Sequence, residues 1–410
     1  MSPFHDARDW FFTHRFGLFI HWGLYSIAAW HEQDQFRRRI PRPEYAALKH
    51  EFNPVHFDPD AWLDAAEEAG MRYVTFTTKH IDGFCMWDTA QTDYSIMHTP
   101  YGRDVLALLA AACHDRGFPL CLYYSLADMH HPNYPNSGQS YELERPEPGD
   151  EPDVCRYLAY VREQVRELCT NYGAIHGFWW DANMIDCRDT SLNGLIRSLQ
   201  PAAVINGRGP DEGDFSTPER DYEEGTVNET LAFDRPTEAC QAIGRQSWGY
   251  RADEDYYTYL YLMQSVAKVL AKGGNYLLNV GPMADGAFPP EATGILRRLG
   301  AWYGPVQEAF DGTEPASCLV ENRDVVITRR GNTLYVILHK APATDAVLLK
   351  PLSTLPQSAV LLNTPQEVEF SVDVLPELHD DPQPYLRLKK LPVNENNDVV
   401  LVVKLEFEAL

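Results

Sequence analysis

The sequence lacks the features that would direct a chain to a membrane or to nucleic acid. No basic segment followed by an apolar segment opens it, so no secretory signal is visible and we expect a cytoplasmic protein. No run approaches the roughly 20 apolar residues that a membrane span requires. The formal net charge of −24 argues against nucleic acids and anionic membranes as partners. These features leave open whether the chain forms a homo-oligomer.

The chain also lacks the short motifs of several enzyme classes. Its eight cysteines are scattered without a CxxC pair, which favours reduced, buried thiols over disulfides or zinc ligands. There is no GxSxG elbow for a serine nucleophile, and no glycine-rich loop for a dinucleotide or phosphate. No HxH or HExxH spacing supports a metal site, although His21, His80 and Asp181 would supply three ligands. A metal-dependent hydrolase stays open as an alternative.

The first three quarters of the sequence alternate between strand-like and helix-like segments. Strands are predicted at 16–22, 73–78, 120–124, 177–181, 203–206 and 276–280, and helices at 58–69, 104–116, 153–172, 192–199, 256–272 and 291–310. Repeated βα units imply parallel strands, and a span of this length suits a (β/α)₈ TIM barrel from which some helices are missing. An open parallel sheet is the alternative.

The pattern changes near Asp311-Gly312-Thr313. Two β-type runs at 325–328 and 334–338 are joined by Arg330-Gly331-Asn332, a hairpin signal. Further runs follow at 359–362, 385–388 and 399–405. We therefore predict a catalytic barrel over 1–314 and an antiparallel β-sandwich over 315–410.

Polar residues close several predicted strands. The strand Gly177-Phe178-Trp179-Trp180-Asp181 runs from apolar and aromatic residues into a carboxylate, and parallel sheets carry their chemistry at such C-terminal ends. The double tryptophan favours a wall for a sugar-sized ligand. His21, His80, Tyr123 and Arg208 lie at other strand ends, with Glu219 eleven residues after Arg208.

Each of these residues also has a structural interpretation. Asp181 would serve as a helix cap, a strand-end histidine as a hydrogen-bonded structural residue, and Glu219 as a first-turn residue of a helix capped by Thr217. Taken together, paired carboxylates among aromatic and imidazole groups are the equipment for breaking a glycosidic bond. Two long loops, 129–152 and 207–236, are expected to be functional, and the sequence leaves open which subunit's loop 129–152 is used.

At these residues the chain resembles the α-L-fucosidases of glycoside hydrolase family twenty-nine. The motifs that carry the resemblance are Phe16-Gly17-Leu18-Phe19-Ile20-His21-Trp22-Gly23-Leu24-Tyr25-Ser26, Lys79-His80-Ile81-Asp82-Gly83-Phe84 with Trp87-Asp88, Tyr123-Tyr124-Ser125, Trp179-Trp180-Asp181, Asn206-Gly207-Arg208, Thr217-Pro218-Glu219, Ser247-Trp248-Gly249-Tyr250 and Gly274-Asn275-Tyr276-Leu277-Leu278-Asn279-Val280-Gly281-Pro282. They cover the predicted barrel almost completely and occur in the family's order.

The resemblance implies a retaining, exo-acting hydrolase that removes terminal α-L-fucosyl residues from oligosaccharides without a metal or an organic cofactor. It implies Asp181 as the nucleophile and Glu219 as the acid/base, with Glu238 as the second choice for the latter. The positions that match sugar-binding residues of the family are His21, Glu32, His80, Tyr123, Trp179 and Arg208.

Two departures from the family pattern bear on the sugar. Ile81 stands where the family often has a second histidine, and Gln33 stands where it often has tryptophan. Each lost hydrogen bond to a sugar hydroxyl weakens binding by about 1–3 kcal/mol. The alternatives are therefore an enzyme for a related sugar such as L-galactose and a sugar-binding pseudoenzyme. His31, His130 and His131 are the candidates to compensate.

Overall fold

A curled parallel sheet organises the N-terminal part of the chain. The computed structural model describes residues 3–220, 232–374, 376, 380 and 384–410. Within these residues seven strands form the sheet, in the order β5-β4-β3-β2-β1-β7-β6. The strands are β1 (Phe16–Ile20), β2 (Val74–Lys79), β3 (Leu120–Ser125), β4 (Gly177–Asp181), β5 (Val204–Ile205), β6 (Glu238–Ala242) and β7 (Asn275–Val280). The predicted parallel α/β fold is confirmed.

An irregular segment, 215–219, joins the two edges of this sheet. Its isolated parallel bridges connect Asn206 with Phe215, Ser216 with Thr237, and Glu219 with Cys240. The segment therefore lies between β5 and β6, in the place of an eighth barrel strand. From the sequence this segment was expected to belong to the loop 207–236, of which residues 221–231 lie outside the described residues.

Strand β6 was not predicted. Its sequence, Glu238-Ala239-Cys240-Gln241-Ala242, has no β-branched residue and carries two polar side chains, so strand propensity gives no signal. All five of its residues are nevertheless buried. The parallel pairing of β6 with β7 makes it a strand and turns Glu238 away from solvent.

The predicted helices form within a few residues of their expected ends. The described α-helices are α1 (Trp10–Thr13), α2 (Tyr25–Ala28), α3 (Asp34–Arg37), α4 (Arg42–Ala47), α5 (Pro59–Glu68), α6 (Val105–Arg116), α7 (Val154–Thr170), α8 (Ser191–Leu199), α9 (Tyr259–Ala271) and α10 (Pro290–Val306). Asp58, Asp104 and Asp153 cap α5, α6 and α7 by accepting bonds from first-turn N–H groups. Within the described ranges, no helix is long and apolar enough to cross a membrane.

Among the described residues, the C-terminal part forms two antiparallel sheets. Their strands are β8 (Glu314–Pro315), β9 (Val326–Arg330), β10 (Thr333–Ile337), β11 (Val347–Leu349), β12 (Ser358–Leu361), β13 (Gln366–Glu367), β14 (Glu369–Asp373), β15 (Tyr385–Lys389) and β16 (Val402–Glu406). They are arranged as β13-β12-β16-β10-β9-β8 and β11-β15-β14. Residues of both sheets share one apolar core, including Val336, Leu386 and Val403. The domain boundary at 314/315 stays a prediction.

The C-terminal sheets pack on the last helix of the barrel. Trp302 of α10 donates its indole N–H to the Val400 carbonyl at 2.9 Å, and Arg298 pairs with Asp398 at 2.5 Å. Neither contact involves a residue to which a catalytic or sugar-binding role was assigned from the sequence.

Candidate active site

A cavity of about 160 Å³ lies at the C-terminal ends of the barrel strands. Its described lining consists of Phe19, His21, Glu32, Gln33, His80, Ile81, Tyr123, Tyr141, Trp179, Asp181, Ala182, Arg208, Glu219, Cys240 and Trp248. All eight residues to which the sequence analysis assigned a catalytic or sugar-binding role are in this set. Barrel closure brings them together although they span about two hundred positions of the chain.

Asp181 ends β4 and points into the cavity. One carboxylate oxygen, Oδ2, accepts a hydrogen bond from the Tyr123 hydroxyl at 2.8 Å, and the other, Oδ1, lies 3.1 Å from Nη1 of Arg208. The next α-helix in the described chain begins at Ser191, so the interpretation of Asp181 as a helix cap is wrong. Its contacts orient a carboxylate toward an open space.

The surroundings of Asp181 keep it ionised. Burial raises its pKa, but Arg208, the Tyr123 hydroxyl and the backbone N–H of Ala182 outweigh burial and lower the pKa below that of an ordinary aspartate. Ala182 has φ +47°, a conformation uncommon for alanine. This backbone turn directs an N–H at the preceding carboxylate.

Arg208 connects the two carboxylates. The same nitrogen, Nη1, contacts Asp181 and Oε1 of Glu219. Two hydrogen-bonding contacts to one atom keep the nearest carboxylate oxygens within about 6 Å of each other. Retaining glycosidases have carboxyl groups about 5–5.5 Å apart.

The guanidinium of Arg208 is itself held in place. Its Nε donates to the Thr217 hydroxyl at 2.6 Å and its Nη2 to the Thr217 carbonyl at 2.8 Å. Its Cζ lies 4.7 Å from the centre of the Trp179 ring, a cation–π distance. Thr217 therefore fixes an arginine, and the interpretation of Thr217 as a helix cap for Glu219 is wrong, since Glu219 bridges to β6 as extended chain.

Glu219 differs from Asp181 in its electrostatics. Burial raises its pKa; Arg208 lowers it and the negative charge of Asp181 raises it further, so that the net pKa lies above that of an ordinary glutamate. One carboxyl group with a lowered pKa thus faces another with a raised pKa. This is the division expected for a nucleophile and a proton donor.

Glu238, the second choice for the acid/base, is inside the barrel and does not line the cavity. Its Oε2 accepts from the Tyr73 hydroxyl at 2.6 Å, and its Oε1 accepts from the Trp179 indole N–H at 3.0 Å. Burial raises the pKa of Glu238 to about 7. The carboxylate therefore supports Trp179 from below and has no direct access to a bound sugar.

His21 presents a hydrogen-bond acceptor to the cavity. Asn279 uses its Nδ2 to donate to the Trp248 carbonyl at 2.6 Å, which places its Oδ1 2.6 Å from Nδ1 of His21. Nδ1 must then carry the proton, and Nε2 is left as an acceptor. Burial lowers the pKa of His21 to about 3, so the ring is neutral at physiological pH.

Two buried polar atoms of cavity-lining residues have no hydrogen-bond partner within the described residues. They are Nδ1 of His80 and Oε1 of Glu32. The other Glu32 oxygen, Oε2, accepts from the Ser247 hydroxyl at 2.8 Å and the Trp248 N–H at 2.9 Å. Unsatisfied buried polar atoms are rare in proteins, and here they are available to hydroxyl groups of a ligand.

The two departures from the family pattern both face the cavity. Ile81 contributes an apolar surface. Gln33 also lines the cavity, and its amide oxygen accepts a hydrogen bond from Nε of Arg37 at 2.9 Å. Each substitution therefore changes a wall of the sugar site itself.

The histidines expected to compensate do not line the cavity. His130 stacks on Tyr94 with ring centres 3.7 Å apart, and His131 packs against Tyr160. His31 supports Glu32 from behind, with Nδ1 at 3.1 Å from the carboxylate. Burial lowers the pKa of His31 to about 4, so this contact is not an ion pair near neutral pH. The expectation of direct compensation by His130 or His131 is wrong.

Several lining residues were not assigned a role from the sequence. Trp248 lies in a motif of the resemblance, and its ring contacts His21 at 5.4 Å between centres. Tyr141 belongs to the long loop 129–152, so this chain's own loop reaches the cavity. Phe19 and Cys240 face inward from β1 and β6. The even spacing of Phe19 and His21 along one strand was the signal that would have found Phe19.

Metal ligation was the alternative for His21, His80 and Asp181. Across the described ranges, no group of three or more His, Cys, Asp or Glu side chains is arranged to hold a metal ion. The two histidine rings lie edge to face, 5.8 Å apart between centres. These side chains make the hydrogen bonds and ring contacts given above.

Comparison with known proteins places this geometry in a family. A family model described as "Alpha-L-fucosidase" matches residues 3–307. The structure is similar to α-L-fucosidase isoenzyme 1 from Paenibacillus thiaminolyticus, with 34% identity, a TM-score of 0.86, and coverage of 98% of this chain and 100% of that one. This chain belongs to the α-L-fucosidase family.

Two relatives with lower sequence identity are also α-L-fucosidases. Tissue α-L-fucosidase of Bos taurus is 26% identical over 406 residues, which cover 90% of this chain and 84% of that protein. A family GH29 α-L-fucosidase from Bacteroides thetaiotaomicron, solved as a trapped covalent intermediate with 2-fluoro-fucosyl fluoride, is 25% identical with a TM-score of 0.83; the match covers 99% of this chain and 97% of that one. The resemblance drawn from the motifs is confirmed, and the chain is a glycoside hydrolase.

Proposed function

We propose that this α-L-fucosidase removes terminal α-L-fucosyl residues by double displacement, with Asp181 as the nucleophile and Glu219 as the acid/base. The observation that carries the proposal is the pair of carboxyl groups on one Arg208 nitrogen, with the pKa of one lowered and that of the other raised. The trapped covalent intermediate of the Bacteroides relative supports the same chemistry for this chain.

In the first step an Asp181 oxygen attacks the anomeric carbon of the sugar. The bond from that carbon to the aglycone oxygen breaks, and Glu219 gives its proton to the departing oxygen. Burial and the negative charge of Asp181 raise the pKa of Glu219 and favour its protonated form, while Arg208 opposes them. Arg208 and Tyr123 stay with Asp181 and keep the attacking carboxylate ionised.

In the second step Glu219, now ionised, takes a proton from water. The water oxygen bonds to the anomeric carbon while the bond to Asp181 breaks, which releases the sugar and restores both carboxyl groups. Two inversions give net retention of the anomer. The developing positive charge on the sugar ring lies among aromatic faces and the Asp181 carboxylate, which stabilise it.

The cavity supports recognition of a single sugar unit. His21 Nε2 accepts, while buried Glu32 Oε1 and His80 Nδ1 have no partner in the part of the chain that the structure describes, so the site offers several directional contacts for hydroxyl groups. Its small volume of about 160 Å³ suits exo action on a terminal residue. Trp179 and Tyr123, stacked at 5.6 Å between centres, supply a flat wall.

The test is a screen of aryl α-L-fucoside, α-L-galactoside and β-D-galactoside, with the anomer of the product followed by NMR at early times. We expect fastest hydrolysis of the fucoside with net retention. Inversion would refute the covalent role of Asp181. Tight fucose binding without turnover of any aryl glycoside would favour the pseudoenzyme instead.

We further propose a cytoplasmic location. All eight cysteines are unpaired and six of them are buried, a usage that suits a reducing compartment. Fractionation of the producing cells, followed by activity on the aryl fucoside, tests this location. Activity confined to the medium or the cell surface would contradict it.

A further inference from the structure

We propose that a second groove beside the sugar cavity binds the aglycone sugars of an oligosaccharide substrate. This side groove is formed by two segments, 35–41 and 138–147, and has a volume of about 600 Å³. The inference rests on the function proposed above and adds to it a substrate class, an oligosaccharide with two or more sugars after the fucosyl unit.

The side groove adjoins the cavity through neighbouring residues of both segments. Gln33 and Tyr141 line the cavity, while Phe36 and Ser140 line the groove. The rings of Phe36 and Tyr141 contact each other with centres 5.7 Å apart. The contact between a groove residue and a cavity residue therefore places the side groove next to the cavity, on the route proposed for the aglycone chain.

One wall of the side groove is fixed in advance by Glu142. This buried carboxylate accepts from the Tyr134 hydroxyl at 3.2 Å, from the Ser137 N–H at 2.7 Å and the Ser137 hydroxyl at 2.8 Å. The Leu143 N–H adds a bond to the Asn136 side chain at 3.0 Å. A loop ordered before binding loses little conformational freedom when a ligand arrives.

The two walls are also tied to each other. Arg42, directly after the first segment, forms a two-pronged pair with Asp150 at 3.0 and 2.7 Å. It donates in addition to the His130 carbonyl at 3.1 Å. Both members of the pair are mostly buried. Two-pronged arginine–carboxylate pairs fix geometry as well as adding stability, so the groove keeps its width.

The polar groups left over inside the side groove suit hydroxyl groups. Among the described residues, the Arg145 guanidinium and the Glu147 carboxylate have no hydrogen-bond or ion-pair partner, and Arg37 uses Nε alone, on Gln33. Arg39 and Glu144 neutralise each other at 2.8 Å. Donors and acceptors thus lie together beside apolar side chains, without a surplus of either charge. A neutral polyhydroxylated chain matches this mixture better than a nucleic acid or a lipid surface does.

The volumes agree with more than one sugar. The side groove, at about 600 Å³, is nearly four times as large as the cavity that is proposed to hold one fucosyl unit, at about 160 Å³. Arg145 lines the side groove and is not among the described residues that line the cavity. We therefore expect an oligosaccharide to make contacts with Arg145 that a short aryl aglycone does not make.

The experiment compares kcat/KM for fucosylated tri- and pentasaccharides with kcat/KM for an aryl α-L-fucoside. Variants are Arg145→Ala and the double variant Arg37→Ala/Arg145→Ala, both at exposed positions. Arg166→Ala, on the exposed face of α7, is the matched control. We expect the ratio of oligosaccharide to aryl kcat/KM to fall about tenfold in Arg145→Ala and further in the double variant, with no change in the control.

Two outcomes separate the two proposals. An unchanged ratio in both groove variants overturns the side groove while leaving the fucosidase function intact. No hydrolysis of the aryl fucoside by the unaltered protein overturns the function itself. Binding of the free aglycone oligosaccharide can be measured by NMR line broadening. Binding that is present in the unaltered protein and lost in the double variant would then still establish the side groove as an oligosaccharide site.

Discussion

Glu219 and Glu238 are two glutamates of the same barrel, nineteen residues apart, placed in opposite environments. Glu219 lies half-buried at the rim, with 39% of its side chain exposed, beside Arg208 and across from Asp181. Glu238 lies in the barrel interior, 3% exposed, between the Tyr73 hydroxyl and the Trp179 indole. The pKa of each is raised by burial.

The difference shows that a raised pKa alone does not identify a catalytic acid. Both glutamates hold a proton more firmly than a glutamate in water, but the proton of Glu238 has no path to a bound sugar. What distinguishes Glu219 is access to the cavity and a facing carboxylate that stays ionised. Geometry has to be established before the pKa is given a function.

The largest predicted effect tests whether the carboxyl groups that line the cavity, those of Asp181 and Glu219, are the reacting groups. Replacement of Asp181 by Ala removes the nucleophile, and we expect kcat on an aryl α-L-fucoside to fall at least about a thousandfold, a loss of roughly 4 kcal/mol in the barrier. Asp64→Ala, at an exposed position of α5, is the control and should keep full activity. More than about a hundredth of the activity remaining in Asp181→Ala would refute the assignment.

The next largest effect concerns the proton donor. Glu219→Gln should lower kcat/KM about a hundredfold for fucosides with poor leaving groups, and less for activated aryl fucosides that need little protonation. Steady-state kinetics on a series of leaving groups measures this. A uniform loss across the series would assign Glu219 to sugar binding instead.

The same variant has a pH signature. Activity requires ionised Asp181, whose pKa is lowered, and protonated Glu219, whose pKa is raised. The rate should therefore fall on the acid side below the usual aspartate range and on the alkaline side above the usual glutamate range. The alkaline fall should vanish in Glu219→Gln. Its persistence would point to another acid.

The smallest effect on activity is expected from the interior glutamate. Glu238→Gln keeps one acceptor for Trp179 or Tyr73, so kcat should fall only a few-fold. The main expected effect of Glu238→Gln is on how the stability of the protein depends on pH. Folding raises the pKa of Glu238 from 4.5 to about 7. The contribution of Glu238 to the free energy of unfolding is therefore fully present below pH 4.5 and is lost as the pH rises through about 7.

Urea unfolding followed by tryptophan fluorescence checks that signature. Between about pH 4 and about pH 8, the free energy of unfolding should fall by on the order of 3 kcal/mol more in the unaltered protein than in Glu238→Gln. Glu68→Gln, on the exposed surface of α5, is the matched control and should follow the unaltered protein. Parallel pH curves for all three proteins would mean that Glu238 does not titrate in this range.

The regular elements were predictable because their signals are local. Asp104 before a run of alanine and leucine, with Gly117 after it, marks the ends of α6 without reference to the rest of the chain. The apolar runs that became β2, β3 and β7 are buried at every position, as strands of a parallel sheet are. Strand β6 and the segment 215–219 escaped prediction since neighbouring strands, not propensity, make them extended.

The residues of the site were found from strand ends and from the family motifs, but their relations were not. Nothing in the sequence places Arg208 between Asp181 and Glu219, or orders Asn279 so that His21 must accept on Nε2. His31, His130 and His131 were candidates to compensate for Ile81 and Gln33, and none of them is among the described residues that line the cavity. The local sequence pattern cannot show whether a histidine lines the cavity or packs against another part of the protein, because distant segments set its environment.

By itself the sequence determined the class of fold and the family, and it named Asp181, Glu219 and Glu238 as candidates for the reacting carboxyl groups, because periodicity and motif order are properties of the chain. The tertiary structure alone decided which glutamate meets the cavity, which ring nitrogen carries a proton, and that loop 138–147 forms a groove with segment 35–41. The physical reason is that proximity, burial and pKa depend on groups far apart in the chain, and only closure of the barrel brings those groups within reach of one another.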